Sequence, residues 1–257
     1  MTQDVLEKLW PLLGVLFRAH PWHGVSIGPN APWTVTAYVE LAPTDNVKFE
    51  VDKTTGLLKV DRPQKYSSVS PTLYGFIPQT YCGWRVAEFA GKHTNRPGII
   101  GDGDPLDVCI LSEKQINRSD ILLQATPIGG LRMIDGREAD DKIIAVMKGD
   151  ASYGSWLDVS QCPSALVERL RHYFLTYKMM PGELTSDTEV THVYGQQDAF
   201  DVIRRAQEDY REKFGDIEAQ VSSVLEDIST NGRPSAKTNG GKPVAEVVKT
   251  DAKKPAK

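Results

Sequence analysis

An acidic turn runs directly into an apolar strand in the sequence Gly101-Asp102-Gly103-Asp104-Pro105-Leu106-Asp107-Val108-Cys109-Ile110-Leu111. Carboxylates this close repel one another by about 1 kcal/mol per pair at 4 Å, even in bulk water. A cation removes that repulsion, and the two glycines give the backbone the freedom to bring the side chains together. Oxygen ligands without a nearby His or Cys favour Mg²⁺, Mn²⁺ or Ca²⁺ over Zn²⁺. The turn is therefore a candidate metal site, with a solvated acidic turn as the alternative.

Alternating apolar and polar residues on both sides of this turn predict β-strands. The first two strands lie upstream, with apolar residues at Val35, Ala37, Val39 and Leu41 and then at Val47, Phe49 and Val51. A turn signal at 52–56 precedes a return strand at 57–60. Pro71, Gly75 and Pro78 predict a loop-rich region that extends to Gly103. Further strands are predicted at 106–111, 121–127 and 142–147.

Two segments with helical periodicity follow the strands. In the first, Pro163 lies near the expected start, and apolar residues recur at helical spacing as far as Tyr177. In the second, they recur from Phe200 to Phe214. Strands followed by helices indicate an α+β fold, which we expect to be a closed antiparallel barrel with the two helices packed outside it.

A second acidic segment lies between two apolar runs, in Asp135-Gly136-Arg137-Glu138-Ala139-Asp140-Asp141-Lys142. Taken alone it is typical of a charged hairpin loop. In an antiparallel barrel, however, two such turns meet at one rim. We therefore expect this segment to lie near the acidic turn at 102–107.

Cationic residues accompany the carboxylates. Lys48 and Glu50 share one face of a strand, because side chains alternate between the two faces. Arg62 follows the return strand, and Tyr177-Lys178 ends the first helix, where the helix dipole favours a cation. Each of these positions also fits an ordinary solvated surface. They indicate a binding site only when they are taken together with the carboxylates.

The composition restricts the classes of protein that fit. A net charge of −4 and a pI near 5.8 argue against a nucleic-acid binder. The sequence contains no apolar run of the ~18 to 20 residues that a membrane helix needs. Three widely spaced cysteines without a C-x-x-C motif suit a reducing compartment, so we expect a cytoplasmic protein without a membrane partner.

Taken together, these residues resemble family I of the soluble inorganic pyrophosphatases. Asp102-Gly-Asp-Pro-Leu-Asp-Val108 matches that family's D-x-D-P-x-D-V signature, and the resemblance extends from about Ala37 to Phe214. The resemblance implies a distorted five-stranded, OB-like antiparallel barrel beside two C-terminal helices. It also implies an enzyme that hydrolyses pyrophosphate to two orthophosphates with several Mg²⁺ ions per site, with Mn²⁺ as another fitting metal, and a homo-oligomeric assembly.

The resemblance also implies a role for each site residue. Asp104 corresponds to the general base. The metal ligands correspond to Asp102, Asp107, Asp135, Asp140 and Glu40. The residues that bind or support the phosphoryl groups correspond to Lys48, Glu50, Arg62, Tyr74, Lys142, Tyr177 and Lys178.

The sequence departs from the family pattern in several places. Ser70 replaces a usual tyrosine of the substrate loop, so a catalytically weak oxyanion or divalent-metal binding module on the same barrel is the alternative function. The segment at 78–100 is longer than in compact relatives, and we interpret it as an ordered surface loop rather than a lid or an oligomer contact. His20 and His23, three residues apart, fit an aromatic-rich structural turn better than a metal site.

The domain organisation follows from these boundaries. We expect an N-terminal extension at 1–32, a catalytic domain at 33–216 and a C-terminal extension at 217–257. The last part, from about residue 229, is rich in Lys, Pro, Gly and Thr and cannot bury enough apolar surface to fold. An oligonucleotide-binding barrel is a third function to consider, but it needs exposed aromatics and a basic groove rather than carboxylates.

Overall fold

A computed structural model describes residues 18–180, 182, 187–216, 219–220 and 222–224. The strands are β1 (Val35–Leu41), β2 (Val47–Val51), β3 (Leu58–Pro63), β4 (Leu73–Phe76), β5 (Ile100–Gly101), β6 (Asp107–Leu111), β7 (Ile121–Asp135), β8 (Glu138–Ala139), β9 (Lys142–Met147) and β10 (Thr188–Gly195). The helices are α1 (Trp84–Thr94), α2 (Ser164–Thr176) and α3 (Gln196–Phe214), with a 3₁₀ turn at Val159–Gln161.

Five strands close into a ring in the order β1-β4-β6-β9-β7, and β7 pairs back onto β1. The pairs are antiparallel except β6 with β9, which run parallel with Asp107 opposite Lys142. This order and the parallel pair are the topology of an OB-like barrel. The predicted α+β class and five-stranded ring are therefore confirmed.

The barrel strands are buried on both faces, which explains their nearly continuous apolar sequences. On β6 and β9, Val108, Ile110, Ile143 and Ala145 pack in one core with residues of α1 and α3. Their neighbours Cys109, Leu111, Ile144 and Val146 pack in a second core with residues of α2. Alternate residues of the same strand therefore anchor helices on different sides of the sheet.

Close packing of the barrel requires glycine at one contact between strands. A Cβ atom at Gly75 on β4 would lie 1.9 Å from the carbonyl oxygen of Tyr38 on β1. No side chain fits there, so Gly75 allows the two strands to approach closely. The sequence had presented this residue as a loop signal, whereas it lies inside a strand of the ring.

The hairpin of β2 and β3 forms a separate two-stranded sheet. Its turn is held by Asp52, whose carboxylate accepts hydrogen bonds from the backbone N–H groups of Thr54 and Thr55. Gly56 closes the turn at φ +71° and packs against His20. The hairpin was predicted from the sequence, and β3 continues three residues beyond the predicted end at 60.

The surface loop predicted at 78–100 is wrong at residues 84–94, which form helix α1. Val86, Ala87, Phe89 and Ala90 form its buried face. Gly83 precedes the helix and supplies no side-chain cap. Asp209 of α3 takes that role, which no local sequence signal reveals.

Other differences from the predicted elements have local causes. Strand β7 continues from the predicted end at Pro127 to Asp135, because Pro127 lies at a register shift where the ladder does not need its N–H. Strand β10 was not predicted, and it pairs antiparallel with the far half of β7.

Within the described residues, no helix has the length and apolar character to cross a membrane. The segment predicted to be disordered from 229 lies outside the described residues.

Candidate active site

A cavity of about 290 Å³ opens at one rim of the barrel, beneath the β2–β3 hairpin. All thirteen residues predicted for the site line it: Glu40, Lys48, Glu50, Arg62, Tyr74, Asp102, Asp104, Asp107, Asp135, Asp140, Lys142, Tyr177 and Lys178. Trp22, Val51, Lys53, Phe76, Pro105 and Glu138 complete the lining. Residues that are distant in sequence therefore meet in one cavity.

The acidic turn is held in place by the chain on either side of it. Gly103 adopts φ +75°, a conformation that favours glycine. The backbone N–H of Asp104 donates to the carboxylate of Asp102 at 2.9 Å. Cys82 pairs with the turn through two backbone hydrogen bonds, to Asp104 and Gly103. The turn thus presents its carboxylates from a fixed backbone.

The second acidic segment meets the first at the same rim, as predicted. Asp135 ends β7, Asp140 precedes β9, and Gly136 at φ +60° turns the chain between them. Lys142, the first residue of β9, lies between the two acidic turns and pairs with Asp107 and with Asp140. Its side chain is only 3% exposed, so this cation is fixed among the carboxylates.

Three of the six remaining cavity carboxylates also have a cationic partner. Lys178 contacts Asp135 at 2.5 Å, and Lys53 contacts Asp104. Lys48 contacts Glu50 on the same strand face and Asp61 on the paired strand at 3.1 Å. Lysines thus lie among the carboxylates, and among the described residues no three His, Cys, Asp or Glu side chains form a closed metal-ligand set.

Burial changes the protonation of several of these groups. It raises the pKa of Glu40 to about 8, although Glu40 accepts a 2.6 Å hydrogen bond from the backbone N–H of Val51. Burial, followed by repulsion from Asp140, raises the pKa of Asp102 to about 8. Burial also raises the pKa of Asp140, against the attraction of Lys142. Among the described residues, Glu40 and Asp102 have no ion-pair partner to offset their burial, whereas Lys142 partly offsets that of Asp140.

The cationic side of the cavity comes from the hairpin and from the end of α2. Lys48 lies opposite Arg62 in the β2–β3 pairing. Tyr177 directly follows α2, and the Arg62 guanidinium lies 5.7 Å from the centroid of its ring. The Lys178 ammonium lies 5.5 Å from the same ring. Burial keeps the pKa of Tyr74 well above its usual value, so this phenol stays protonated and able to donate a hydrogen bond.

Six residues of the cavity wall were not predicted, and three of them carry polar side-chain groups. Lys53 extends from the hairpin turn to Asp104, and its position beside the strand of Lys48 and Glu50 was the available signal. Glu138 lies within the second acidic segment but received no role. Trp22 comes from the predicted N-terminal extension, where it is buried and donates from its indole to the carbonyl of Thr80 at 2.7 Å. No local pattern links Trp22 to the site.

Two sequence features lie outside the cavity. Ser70 is buried, and its hydroxyl donates to the carbonyl of Thr72 at 2.8 Å. His23 stacks on Trp22 with ring centroids 4.5 Å apart, and its Nδ1 is 2.7 Å from the Tyr210 hydroxyl. The interpretation of the two histidines as part of an aromatic structural turn agrees with these contacts.

The donor chemistry of the cavity fits divalent cations. Eight carboxylates line it against five Lys and Arg side chains, so negative charge is in excess. All the acidic donors are hard oxygen ligands of the kind that Mg²⁺ prefers. The cations on the hairpin and after α2 add a surface that suits the oxygens of a polyanion. This combination is typical of a site for divalent metals together with a phosphate-containing anion.

Comparisons with known proteins agree with this class. The sequence profile described as inorganic pyrophosphatase matches residues 37–211. The inorganic pyrophosphatase of Chlamydia trachomatis is 51% identical over 196 residues, which cover 75% of this chain and 94% of that protein. The chain belongs to the inorganic pyrophosphatase family.

Solved structures show the same relationship in three dimensions. The inorganic pyrophosphatase of Thermus thermophilus superposes with a TM-score of 0.63 at 25% identity, covering 76% of this chain and 99% of that one. The type I inorganic pyrophosphatase of Toxoplasma gondii superposes with a TM-score of 0.64 at 25% identity, covering 77% and 89%. The resemblance to family I drawn from the sequence is therefore confirmed.

Proposed function

We propose that this protein hydrolyses inorganic pyrophosphate to two orthophosphates with Mg²⁺ as its metal. The observation that carries the proposal is the convergence of two acidic turns and a cationic hairpin on one cavity. Family membership supports the same reaction and a divalent metal requirement. Mg²⁺ fits the all-oxygen donor set, and Mn²⁺ is the nearest alternative by the same criterion.

The carboxylates divide between metal binding and proton transfer. Asp102, Asp107, Asp140, Asp135 and Glu40 are the proposed metal ligands. Their oxygens lie at the barrel rim, where a divalent ion would offset the burial that now favours protonated Asp102 and Glu40. Asp104 is the proposed general base, because it lies at the more exposed part of the turn, where a water reaches it.

The cations and phenols hold the substrate. Lys48, Arg62, Lys142 and Lys178 neutralise the phosphoryl oxygens, on which negative charge accumulates during the reaction. Tyr74 and Tyr177 donate hydrogen bonds, and Glu50 orients Lys48. Bound divalent ions polarise phosphoryl oxygens and lower the pKa of water. Asp104 takes the proton of the attacking water, and Lys142 and Lys178 stabilise the phosphate that leaves.

Phosphate release from pyrophosphate with Mg²⁺ tests the proposal. We expect Asp104→Asn to lower kcat by ~10² to 10⁴, the range that a lost general base costs. Asp201→Asn on α3 is the matched control, because this aspartate pairs with Arg204 away from the cavity. No release by the unmodified protein would favour the weak binding module instead. An unchanged rate in Asp104→Asn would remove this residue from the base role.

The metal assignment has its own test. Asp102→Ala should raise the Mg²⁺ concentration for half-maximal activity by ~10-fold or more, since one anionic oxygen ligand is lost. The measurement is a Mg²⁺ titration of the initial rate at fixed pyrophosphate, with Asp201→Asn as the control. Equal Mg²⁺ requirements in the Asp102→Ala and unmodified proteins would contradict the assignment.

Assembly and location complete the proposal. We infer a homo-oligomer from the family resemblance, and exposed apolar side chains such as Trp33 and Leu122 offer surface for a contact. Light scattering, which gives the mass in solution, tests the homo-oligomer, and a monomer at micromolar concentration would contradict it.

A cytoplasmic location is supported by three buried cysteines without a disulfide.

A further inference from the structure

A fully buried ion pair lies directly behind the cavity. Asp141 stands between Asp140 and Lys142, both of which line the cavity, but its own side chain faces away from it. Alternate residues of extended chain point to opposite sides, so Asp141 must find a partner in the interior. Arg132 of β7 is that partner, with its Nη1 2.9 Å from the Asp141 carboxylate and both side chains 0% exposed.

Aromatic rings enclose this pair. The Arg132 guanidinium lies 4.9 Å from the centroid of the Phe89 ring and 4.8 Å from that of Tyr194. Tyr194 also donates its hydroxyl to the Asp141 carboxylate at 3.2 Å. Phe89 comes from α1, the helix that sequence analysis missed, and Tyr194 comes from β10. Two elements outside the barrel ring thus hold one guanidinium in place.

Stability alone does not account for the pair. Taking two charges out of water is costly, and replacing such a pair with apolar residues of similar volume is often neutral or stabilising. Within the described part of the chain, all three guanidinium nitrogens of Arg132 and Oδ1 of Asp141 are buried without a partner in hydrogen-bond geometry, which adds to the cost. Nη1 has only its 2.9 Å ion-pair contact. The pair is thus better explained by what it does to its neighbours.

We propose that Arg132 and Asp141 are positioning residues that fix the segment 140–142 from behind. When one side chain of an extended segment is held in place, the backbone at that point cannot rotate freely. The side chains of the two adjacent residues, which point to the other side, then keep their direction. Asp140 and Lys142 are then held at the separation that joins them, 2.5 Å between Oδ1 and Nζ. The inference rests on the proposed function for the roles of Asp140 and Lys142, and it gives α1 a part in shaping the site.

The apolar double variant Arg132→Met/Asp141→Leu tests the proposal without leaving a buried charge unpaired. Mn²⁺ binding is measured by electron paramagnetic resonance on the full chain without substrate, together with thermal unfolding. We expect a Tm no lower than that of the unmodified protein and a Kd for Mn²⁺ raised by ~10-fold or more, as for other residues that orient metal ligands. Arg204→Met is the control, because it breaks an exposed pair with Asp201 away from the cavity and should leave the Kd unchanged.

The outcomes separate this inference from the proposed function. A folded double variant with the unmodified Kd for Mn²⁺ would overturn the positioning role, whatever the protein hydrolyses. If the double variant does not fold, Arg132→Lys decides, because it keeps the charge but loses the planar group between the two rings. A weakened Mn²⁺ affinity in folded Arg132→Lys supports the proposal, and an unchanged affinity rejects it. Failure of the unmodified protein to release phosphate would instead reject the proposed reaction.

Discussion

At the scale of single residues, Lys53 shows how the cavity extends beyond the set of residues found from the sequence. It contacts Asp104 from the hairpin turn and adds a fifth cation to the cavity lining. A lysine beside a polyanion contributes a charge-assisted contact of about 1.5 kcal/mol. Its position suggests a direct part in holding substrate.

We predict that Lys53→Gln raises the KM for pyrophosphate by about tenfold, the equivalent of that contact. Steady-state kinetics at saturating Mg²⁺ measure it. Lys59→Gln is the matched control, because Lys59 lies on the same hairpin and pairs with Asp52 at 3.4 Å, away from the cavity. The same change of KM in both variants would show that only the total charge of the hairpin matters.

The residues of the site could be predicted from the sequence, whereas their burial and contacts could not. The expected antiparallel barrel and the family resemblance, rather than spacing alone, predicted that the carboxylates of 102–107 and 135–140 lie together. The burial of Lys142 and Asp141 was not predictable, because it depends on strands β7 and β10 that close over them. Trp22 was missed for the same reason, since its contacts lie far along the chain.

At the scale of elements, α1 depends on a cap from another helix. The Asp209 carboxylate accepts hydrogen bonds from the backbone N–H groups of Gly83 at 3.1 Å, Arg85 at 3.1 Å and Val86 at 3.2 Å. It also accepts one from the Arg85 guanidinium at 3.0 Å. A helix start without its own Ser, Thr, Asp or Asn is therefore stabilised from a distance of more than 120 residues.

We predict that Asp209→Ala lowers the free energy of unfolding by about 3 kcal/mol, because it removes a helix cap and leaves buried donors unsatisfied. Urea unfolding followed by circular dichroism measures this loss. Glu212→Ala is the control, since Glu212 is an exposed partner of the same Arg85 and should lower the free energy of unfolding far less. Similar losses in both variants would mean that the ion pair, not the cap, stabilises the helix.

Four of the five ring strands were predicted because their periodicity is local, whereas β4 was assigned to a loop and α1 and β10 were not predicted. In α1 the sequence begins Gly83-Trp84-Arg85 without a start signal, and its stability comes from Asp209. In β10 the pattern is mixed, with Thr188 and Val190 buried and Glu189 exposed among polar neighbours. Both elements form because long-range contacts outweigh weak local preference.

At the scale of the whole molecule, an aromatic cluster joins the two ends of the described chain. Trp22 and His23 pack against Tyr210 and Phe214 of α3, with the Trp22 and Phe214 centroids 5.3 Å apart. Burial, followed by repulsion from His20, lowers the pKa of His23 to about 4. The folded state therefore resists protonation of this ring more than the unfolded state does.

We predict that the contribution of His23 to stability falls as the pH is lowered from about 6.5 to about 4, because the unfolded chain takes up a proton on His23 before the folded chain does. The ring is only half-buried, so we expect the loss from this group to be about 1 to 2 kcal/mol. The free energy of unfolding is measured at pH 7 and at pH 4.5, and its change between the two pH values is compared among variants. His23→Gln should lose less stability between pH 7 and pH 4.5 than the unmodified protein does. His172→Gln, which changes an exposed residue of α2, should behave like the unmodified protein. Equal changes in all three proteins would exclude His23 as the cause.

The division of the cavity between the barrel and the β2–β3 hairpin has a consequence for dynamics. The proposed metal ligands lie on the barrel side, whereas Lys48 and Arg62 belong to a two-stranded sheet that does not share the barrel's hydrogen-bond ladder. Short hairpins open locally at low cost, and a ligand that contacts both parts must be released before the hairpin can open. Amide hydrogens in 47–63 should therefore exchange with deuterium more slowly as phosphate or pyrophosphate binds, by a factor that grows with ligand concentration. The backbone of the hairpin would then report occupancy of the site, although most of the proposed metal ligands lie elsewhere.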